Sequence, residues 1–289
     1  MMEKLNFFWV LRMVRVKLER KVIVVLNIAI LLILITGCSN FEKKDQWTQS
    51  SLIAHAAGGI NGLEYTNSLE AFHRSYEKGF RLIEVDVSIT EDGRLVARHG
   101  WDEDYGQNLS NKGEPVTYKK FMSSLIHGKY TPMDFEKVLD LMEKYKDVHV
   151  IIDGKTTSVE DTKRLYKKIG NQVADLDTQI LNRLIPQMFY EADLEIIRSY
   201  GFQDVLYVIG REEYTPDSIA RYCQENNIPA VSLSVKRTTD ELIDALEKYN
   251  IVAYMYTFND LEVIKTYDAK GIQGFFTDFI DPADIKDVK

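Results

Sequence analysis

Two carboxylates one residue apart in an apolar run, Glu84 and Asp86 in RLIEVDV, are the first residues of this chain that suggest chemistry. Side chains alternate along a strand, so both point to one face while Ile83, Val85 and Val87 point to the other. Buried together without a counter-charge, the two acids repel and one protonates. A hard divalent cation with oxygen ligands removes that conflict. Asp153, which closes the run VHVIID, offers a third oxygen ligand, and an all-carboxylate set suits Mg²⁺ or Ca²⁺ rather than Zn²⁺. The expected cofactor is therefore one divalent cation. His55 and His99 each end a strand-like run, and two imidazoles flanking a cation-bound phosphate can take and give a proton near neutral pH. Lys155, just past Asp153, supplies positive charge for the phosphoryl oxygens. An inward Glu-x-Asp alone belongs more often to a salt-bridged network, and it is the gathering of all these groups at strand ends that points to a site. His73, His127 and His149 fall away from strand ends and are expected to pack or to face solvent.

The elements that must position these residues alternate in type from Ser51 onward. Short β-branched runs are followed by longer segments of helical period, the mark of βα units and a parallel sheet. Eight candidate strands lie at 52–55, 81–87, 148–153, 184–189, 204–209, 229–235, 251–258 and 274–279. Helices are predicted over 68–78, 134–145, 161–169, 192–200, 216–226, 239–248 and 260–270. Glu91-Asp92-Gly93 is a hairpin turn, folding 95–99 back on the second strand, and 101–132 reads as a long insertion over one barrel mouth. The fold class expected is α/β, a single (β/α)₈ TIM barrel with a hairpin strand and insertion after strand two. No glycine-rich dinucleotide turn is present, and active sites of such barrels sit at the C-terminal strand ends, where His55, Glu84, Asp86, His99 and Asp153 fall.

A net charge of −8 and the lack of a dense Lys/Arg cluster beyond the leader argue against a nucleic-acid partner. With 45% hydrophobic and 28% charged residues, the 289-residue chain falls in the globular range. Its first residues are rich in Lys and Arg and precede an apolar run, 22–35, interrupted only by Asn27. That run is shorter than the roughly 20 residues of a spanning helix, which favours a signal peptide. It ends in Leu34-Ile35-Thr36-Gly37-Cys38, which resembles a bacterial lipoprotein signal. The expected organisation is a signal peptide over 1–37, lipid attachment at Cys38, a polar tether over 38–50 and a barrel domain over 51–289. The barrel would then lie outside the cytoplasm, anchored to the membrane. Cys223 reads as a buried structural thiol.

Taken together, IAHAAGG, YTNSLEAF, GFRLIEVDVSITEDGRLVARHG, VIIDGK, YTFND and GIQGFFTDF resemble the glycerophosphodiester phosphodiesterase family of the phosphatidylinositol-phospholipase-C-like barrels. The resemblance implies catalytic histidines at His55 and His99, metal ligands at Glu84, Asp86 and Asp153, and a phosphate-contacting Lys155. Asn67, Gln187 and Tyr256 are assigned with Lys155 to the substrate. Three departures stand out. Ala56 occupies a position usually held by arginine, Tyr65-Thr66-Asn67-Ser68 stands for Pro-Glu-Asn-Thr, and Asp153 stands for glutamate. Tyr256 takes the place of a frequent tryptophan. The activity implied is metal-dependent hydrolysis of glycerophosphodiesters to glycerol 3-phosphate and an alcohol. Two other readings stay open at this point: a phospholipase acting on intact lipid, and a non-catalytic lipoprotein that binds headgroups or cell-wall polymer.

Overall fold

The computed structural model describes residues 46–107, 109 and 113–285 of the chain. Eight parallel strands close into a barrel: β1 (Leu52–Ala54), β2 (Leu82–Ile89), β4 (His149–Asp153), β5 (Leu184–Met188), β6 (Leu206–Val208), β7 (Ala230–Ser234), β8 (Val252–Tyr256) and β9 (Gly274–Thr277). The ring runs β1-β2-β4-β5-β6-β7-β8-β9 and is sealed where Phe275–Thr277 pair with β1 and Ala54 pairs with Ile83. The hairpin strand β3 (Leu95–Ala97) pairs antiparallel with Val87–Ile89. It is shorter than expected, so His99 stands two residues beyond its end. The barrel expected from the sequence is the one found.

Helices α1 (Leu69–Glu77), α3 (Phe135–Lys144), α4 (Val159–Val173), α6 (Asp193–Arg198), α7 (Pro216–Glu225), α8 (Asp240–Lys248) and α9 (Leu261–Asp268) flank the strands. Most start at a side-chain cap that satisfies a backbone donor: Ser68, Asp134, Ser158, Thr215, Thr239 and Asp260 each accept from an N–H of the first turn. Two short helices, α2 (Tyr118–Met122) and α5 (Thr178–Leu181), were not expected. The insertion carrying α2 builds a small apolar cluster of its own, in which Leu109, Val116 and Phe121 pack on Val96 of β3.

The lumen is filled by one apolar layer to which every barrel strand gives one residue: Ile53, Leu82, Ile151, Ile185, Leu206, Ala230, Tyr254 and Phe276. Trp47 closes the layer from below. It stacks on Tyr254 with 6.2 Å between ring centroids and donates its indole N–H to Asp204 at 3.0 Å. The barrel therefore begins ahead of Ser51: the stretch expected to end a polar tether contains a 3₁₀ turn, Gln46–Gln49, whose Trp47 is 2% exposed. Hydrophobic burial of one large indole outweighs the polar neighbours that disguised it. The leader, Cys38 and the first part of the tether lie outside the described residues. Among the described residues no helix is long and apolar enough to cross a membrane.

Candidate active site

Period-two alternation dictates that the residue two steps past each apolar lumen residue also faces inward, toward the C-terminal mouth. That next layer holds His55, Glu84, Asp153, Gln187, Val208, Ser232 and Tyr256, which line one cavity of about 210 Å³. The first strand ends in an unusual turn. Ala56 (φ 49°), Ala57 (φ 68°) and Gly58 (φ 93°) are all left-handed, a conformation costing on the order of 1 kcal/mol for each alanine. A Cβ on Gly58 would come within 2.1 Å of the Ser75 hydroxyl, so only glycine fits there. The turn aims the Ala56 N–H at Glu84 Oε2, 2.6 Å away. Ala56 is fully buried, and the guanidinium expected from the resemblance at this position has no counterpart here.

Glu84, Asp86 and Asp153 each bring one oxygen to within 4.8 Å of the others, and all three are buried. Among the described residues Glu84 Oε1 has no hydrogen-bond donor. Burial, and then the charge of Asp86, push the Glu84 carboxyl well above the ordinary carboxylate range. Burial works on Asp86 in the same direction, but Lys155, His99 and His55 outweigh it and hold Asp86 low. An orphaned carboxylate oxygen in an oxygen-only cluster is the donor set a hard divalent cation takes, so these residues fit Mg²⁺ or Ca²⁺.

Lys155 (φ 46°) curls back over this cluster. Its Nζ lies 2.5 Å from Asp153 Oδ2 and 2.9 Å from Asp86 Oδ1, and its N–H donates to Asp153 Oδ1 at 2.9 Å. Burial disfavours the ammonium, yet the charges of Asp153, Asp86 and Glu84 hold it protonated. Lys155 is thus bound into the carboxylate cluster as well as facing the cavity. Asn67 is placed differently from the substrate role expected of it. Its amide is spent on Asp86, donating to Oδ2 at 2.8 Å and accepting from the Asp86 N–H at 3.0 Å, and it is fully buried. It orients a carboxylate. Gln187 and Tyr256 do face the cavity, as expected.

His55 Nδ1 donates to Asp278 Oδ1 at 2.9 Å, which leaves Nε2 for the cavity. Asp278 is itself fixed, accepting from Asn259 Nδ2 at 2.8 Å and donating its N–H to Asn259 Oδ1 at 2.8 Å. Burial lowers the His55 pKa, but the Asp278 hydrogen bond and the charges of Glu84, Asp278 and Asp86 outweigh it and raise it to about 9. His99 stands across the Tyr65 ring, whose centroid is 4.8 Å from each imidazole. The other histidines behave as expected: His73 bonds the Tyr145 hydroxyl at 2.8 Å, and His149 starts β4 at the opposite end of the barrel. Sequence reasoning missed Asp278, Tyr65, Ser232 and Arg211. For Asp278 the signal was available, because it lies two residues past Phe276 and closes the last strand. No periodicity marks Tyr65 or Arg211, which sit in loops.

Comparison with known proteins gives the family. The family described as "Glycerophosphoryl diester phosphodiesterase family" matches residues 57–282. A glycerophosphodiester phosphodiesterase of Bacillus altitudinis is 26% identical over 248 residues, 81% of this chain and 96% of the relative. An uncharacterized protein of Bacillus subtilis is 27% identical over 251 residues, 81% of this chain and 97% of its own length. Among solved structures, a glycerophosphodiester phosphodiesterase from Parabacteroides distasonis shares the fold with a TM-score of 0.67 and 18% identity, over 82% of this chain and 96% of that one. An Oleispira antarctica phosphodiesterase in complex with the product sn-glycerol-3-phosphate does so with a TM-score of 0.63 and 15% identity, over 83% and 96%. The chain belongs to the glycerophosphoryl diester phosphodiesterase family and is a phosphoric diester hydrolase.

Proposed function

We propose that the protein hydrolyses glycerophosphodiesters to glycerol 3-phosphate and an alcohol, with a divalent cation held by Glu84, Asp86 and Asp153 and proton transfer divided between His55 and His99. The observation that carries this reading is that Glu84, with its orphaned oxygen, and Asp153, two members of the three-carboxylate cluster, line one cavity with the Asp278-fixed His55. The product named for the Oleispira antarctica relative is consistent with it. Mg²⁺ or Ca²⁺ bound there supplies Lewis acidity at a phosphoryl oxygen.

The chain's own groups do the rest. Asp278 favours the imidazolium of His55 and holds its ring, so His55 is the proton donor to the departing alcohol. His99 takes the complementary part and accepts the proton of the attacking group, either water, which gives glycerol 3-phosphate directly, or the hydroxyl next to the ester, which closes a cyclic phosphate that water then opens to glycerol 3-phosphate. Lys155, held by Asp86 and Asp153, places positive charge where the phosphoryl oxygens gain negative charge. Asn67 keeps the Asp86 carboxylate from rotating. His55→Ala and His99→Ala each abolish turnover while circular dichroism stays native. Near-normal activity in either variant defeats the assignment.

We also propose, from the apolar run 22–35 and the sequence LITGC, that the enzyme is exported and anchored through a lipid on Cys38, where it meets small phosphodiesters or lipid headgroups at the membrane surface. Mass spectrometry of the mature N-terminus tests this. A diacylated Cys38 is expected, and an unmodified or uncleaved leader would contradict it.

A further inference from the structure

The cavity has two chemically distinct sides. In the ring of strands β6 lies opposite β1, and β7 lies opposite β2. The carboxylates and His55 therefore come from β1, β2 and β4, and β6 and β7 face β1 and β2 across the lumen, with β5 between β4 and β6. From β5 to β7 the cavity is lined by Gln187, Phe189, Val208, Arg211 and Ser232, with no acidic residue among them. Arg211, in the loop after β6, is exposed at the rim. Its guanidinium is seated on Phe189, 4.3 Å from the ring centroid, and on Tyr190 at 5.7 Å, and Nη1 donates to the Thr156 carbonyl. Among the described residues no carboxylate pairs with it. The adjacent Glu212 is engaged elsewhere, accepting from the Tyr207 hydroxyl at 3.0 Å and from the Glu191 N–H at 2.7 Å. Below Arg211, Ser232 Oγ is fully buried and has no hydrogen-bond partner among the described residues.

A cation held in a fixed pose by two aromatic rings and a carbonyl, with no anion of its own, is prepared for one from outside. A buried hydroxyl without a partner costs free energy that a ligand hydrogen bond would recover. We infer that this side is a substrate subsite in which Arg211 binds an anionic group, a carboxylate or a phosphate, carried on the arm of the diester that reaches across the lumen, while Ser232 and Gln187 hydrogen-bond the polar part of that arm. The inference rests on the proposed reaction at the opposite side and adds a substrate class to it. The enzyme selects diesters whose arm carries a carboxylate or a phosphate over those whose only charged arm group is a quaternary or primary ammonium, which would meet the like charge of Arg211.

The test compares the full-length protein with Arg211→Gln on glycerophosphoserine, on glycerophosphoglycerol bearing a terminal phosphate, on neutral glycerophosphoglycerol and on glycerophosphocholine. Wild type should show a KM for at least one anionic diester about tenfold below that for the choline diester, the size expected of one charge-assisted contact at a partly exposed site. Which of the two anionic diesters gains identifies the group as carboxylate or phosphate. In Arg211→Gln this advantage should vanish, the KM for the anionic diester rising about tenfold and that for neutral glycerophosphoglycerol changing least of the four. An equal loss on all four substrates would place Arg211 at the reacting phosphate and overturn the inference, as would a wild type without preference. Calorimetric binding of O-phosphoserine and phosphocholine separates this from the reaction itself. If no diester is turned over yet phosphoserine binds more tightly in an Arg211-dependent way, the subsite stands and the proposed reaction falls. Equal binding of the two probes overturns the subsite.

Discussion

Replacing Asp278 by asparagine removes one charge from the site while keeping the side chain's size. The carboxylate accepts from His55 Nδ1 at 2.9 Å, and both groups are buried. A hydrogen bond to a charged partner in such a place is worth about 1.5–3 kcal/mol. One pKa unit corresponds to about 1.4 kcal/mol, so the His55 pKa should fall by roughly one to two units from about 9. It does not return to its ordinary value, because Glu84 and Asp86 still favour the imidazolium. If His55 is the proton donor, activity is lost as pH rises through its pKa. The basic limb of the kcat/KM profile should therefore move down by one to two units, and turnover at pH 8 should drop about two- to tenfold from protonation alone. A cation held by Glu84 and Asp86 weakens their pull on His55 and enlarges the share carried by Asp278. In EDTA, where no turnover is expected, the shift is read from the ring titration alone. The profiles, together with an NMR titration of the His55 ring, decide the matter. A basic limb that stays in place, or moves up, refutes the account of His55.

The same ion pair fixes a stability profile. His55 has a raised pKa in the folded state, so its contribution is fully present below about 6.5 and is lost as pH rises through about 9. Urea midpoints of wild type and Asp278→Asn should differ most near pH 6 and converge above pH 9. Glu84→Gln keeps an acceptor for the Ala56 N–H but removes the most disfavoured charge. In EDTA at pH 8 it should melt at or above the wild-type temperature, and it should lose any rise in Tm that Mg²⁺ gives the wild type, as calorimetry would show. Lys155→Ala leaves Asp86 and Asp153 without their ammonium. Because the lysine side chain is 31% exposed, the loss should be about 1–3 kcal/mol in EDTA, below the range for a fully buried pair, and smaller with Mg²⁺. Trp47→Ala opens the barrel floor under Tyr254 and should cost about 3–5 kcal/mol by denaturant melts. A loss below about 1 kcal/mol would show that Trp47 is not part of the core.

Alternation made much of this molecule legible in its sequence. Placing Glu84 and Asp86 inward follows from period two alone, and the same parity runs through Ile53 and His55, Ile151 and Asp153, and Phe276 and Asp278. Asp278 obeys the same rule, although only its position two residues past Phe276 marks it for chemistry. What the rule does not reach are residues brought in by loops. Arg211 gains its place from two aromatic rings after β5 and a carbonyl after β4, contacts that span 21 to 55 positions in sequence and leave no periodic trace. Asn67 was identified as a site residue, but its task could not be read. An amide in a loop has no strand to give it direction, and only the fold turns it onto Asp86. Trp47 hid in a polar segment because a single indole carries no pattern.

Hydrolysis of a glycerophosphodiester at a cation-dependent site can be read from a single assay. The purified protein is given glycerophosphodiesters in EDTA, and again after Mg²⁺ or Ca²⁺ is restored, with glycerol 3-phosphate measured as product. The account predicts no product in EDTA and its release when the cation returns, with His55→Ala silent in both. Equal turnover with and without the cation, or none from a folded protein that binds the cation, would contradict it.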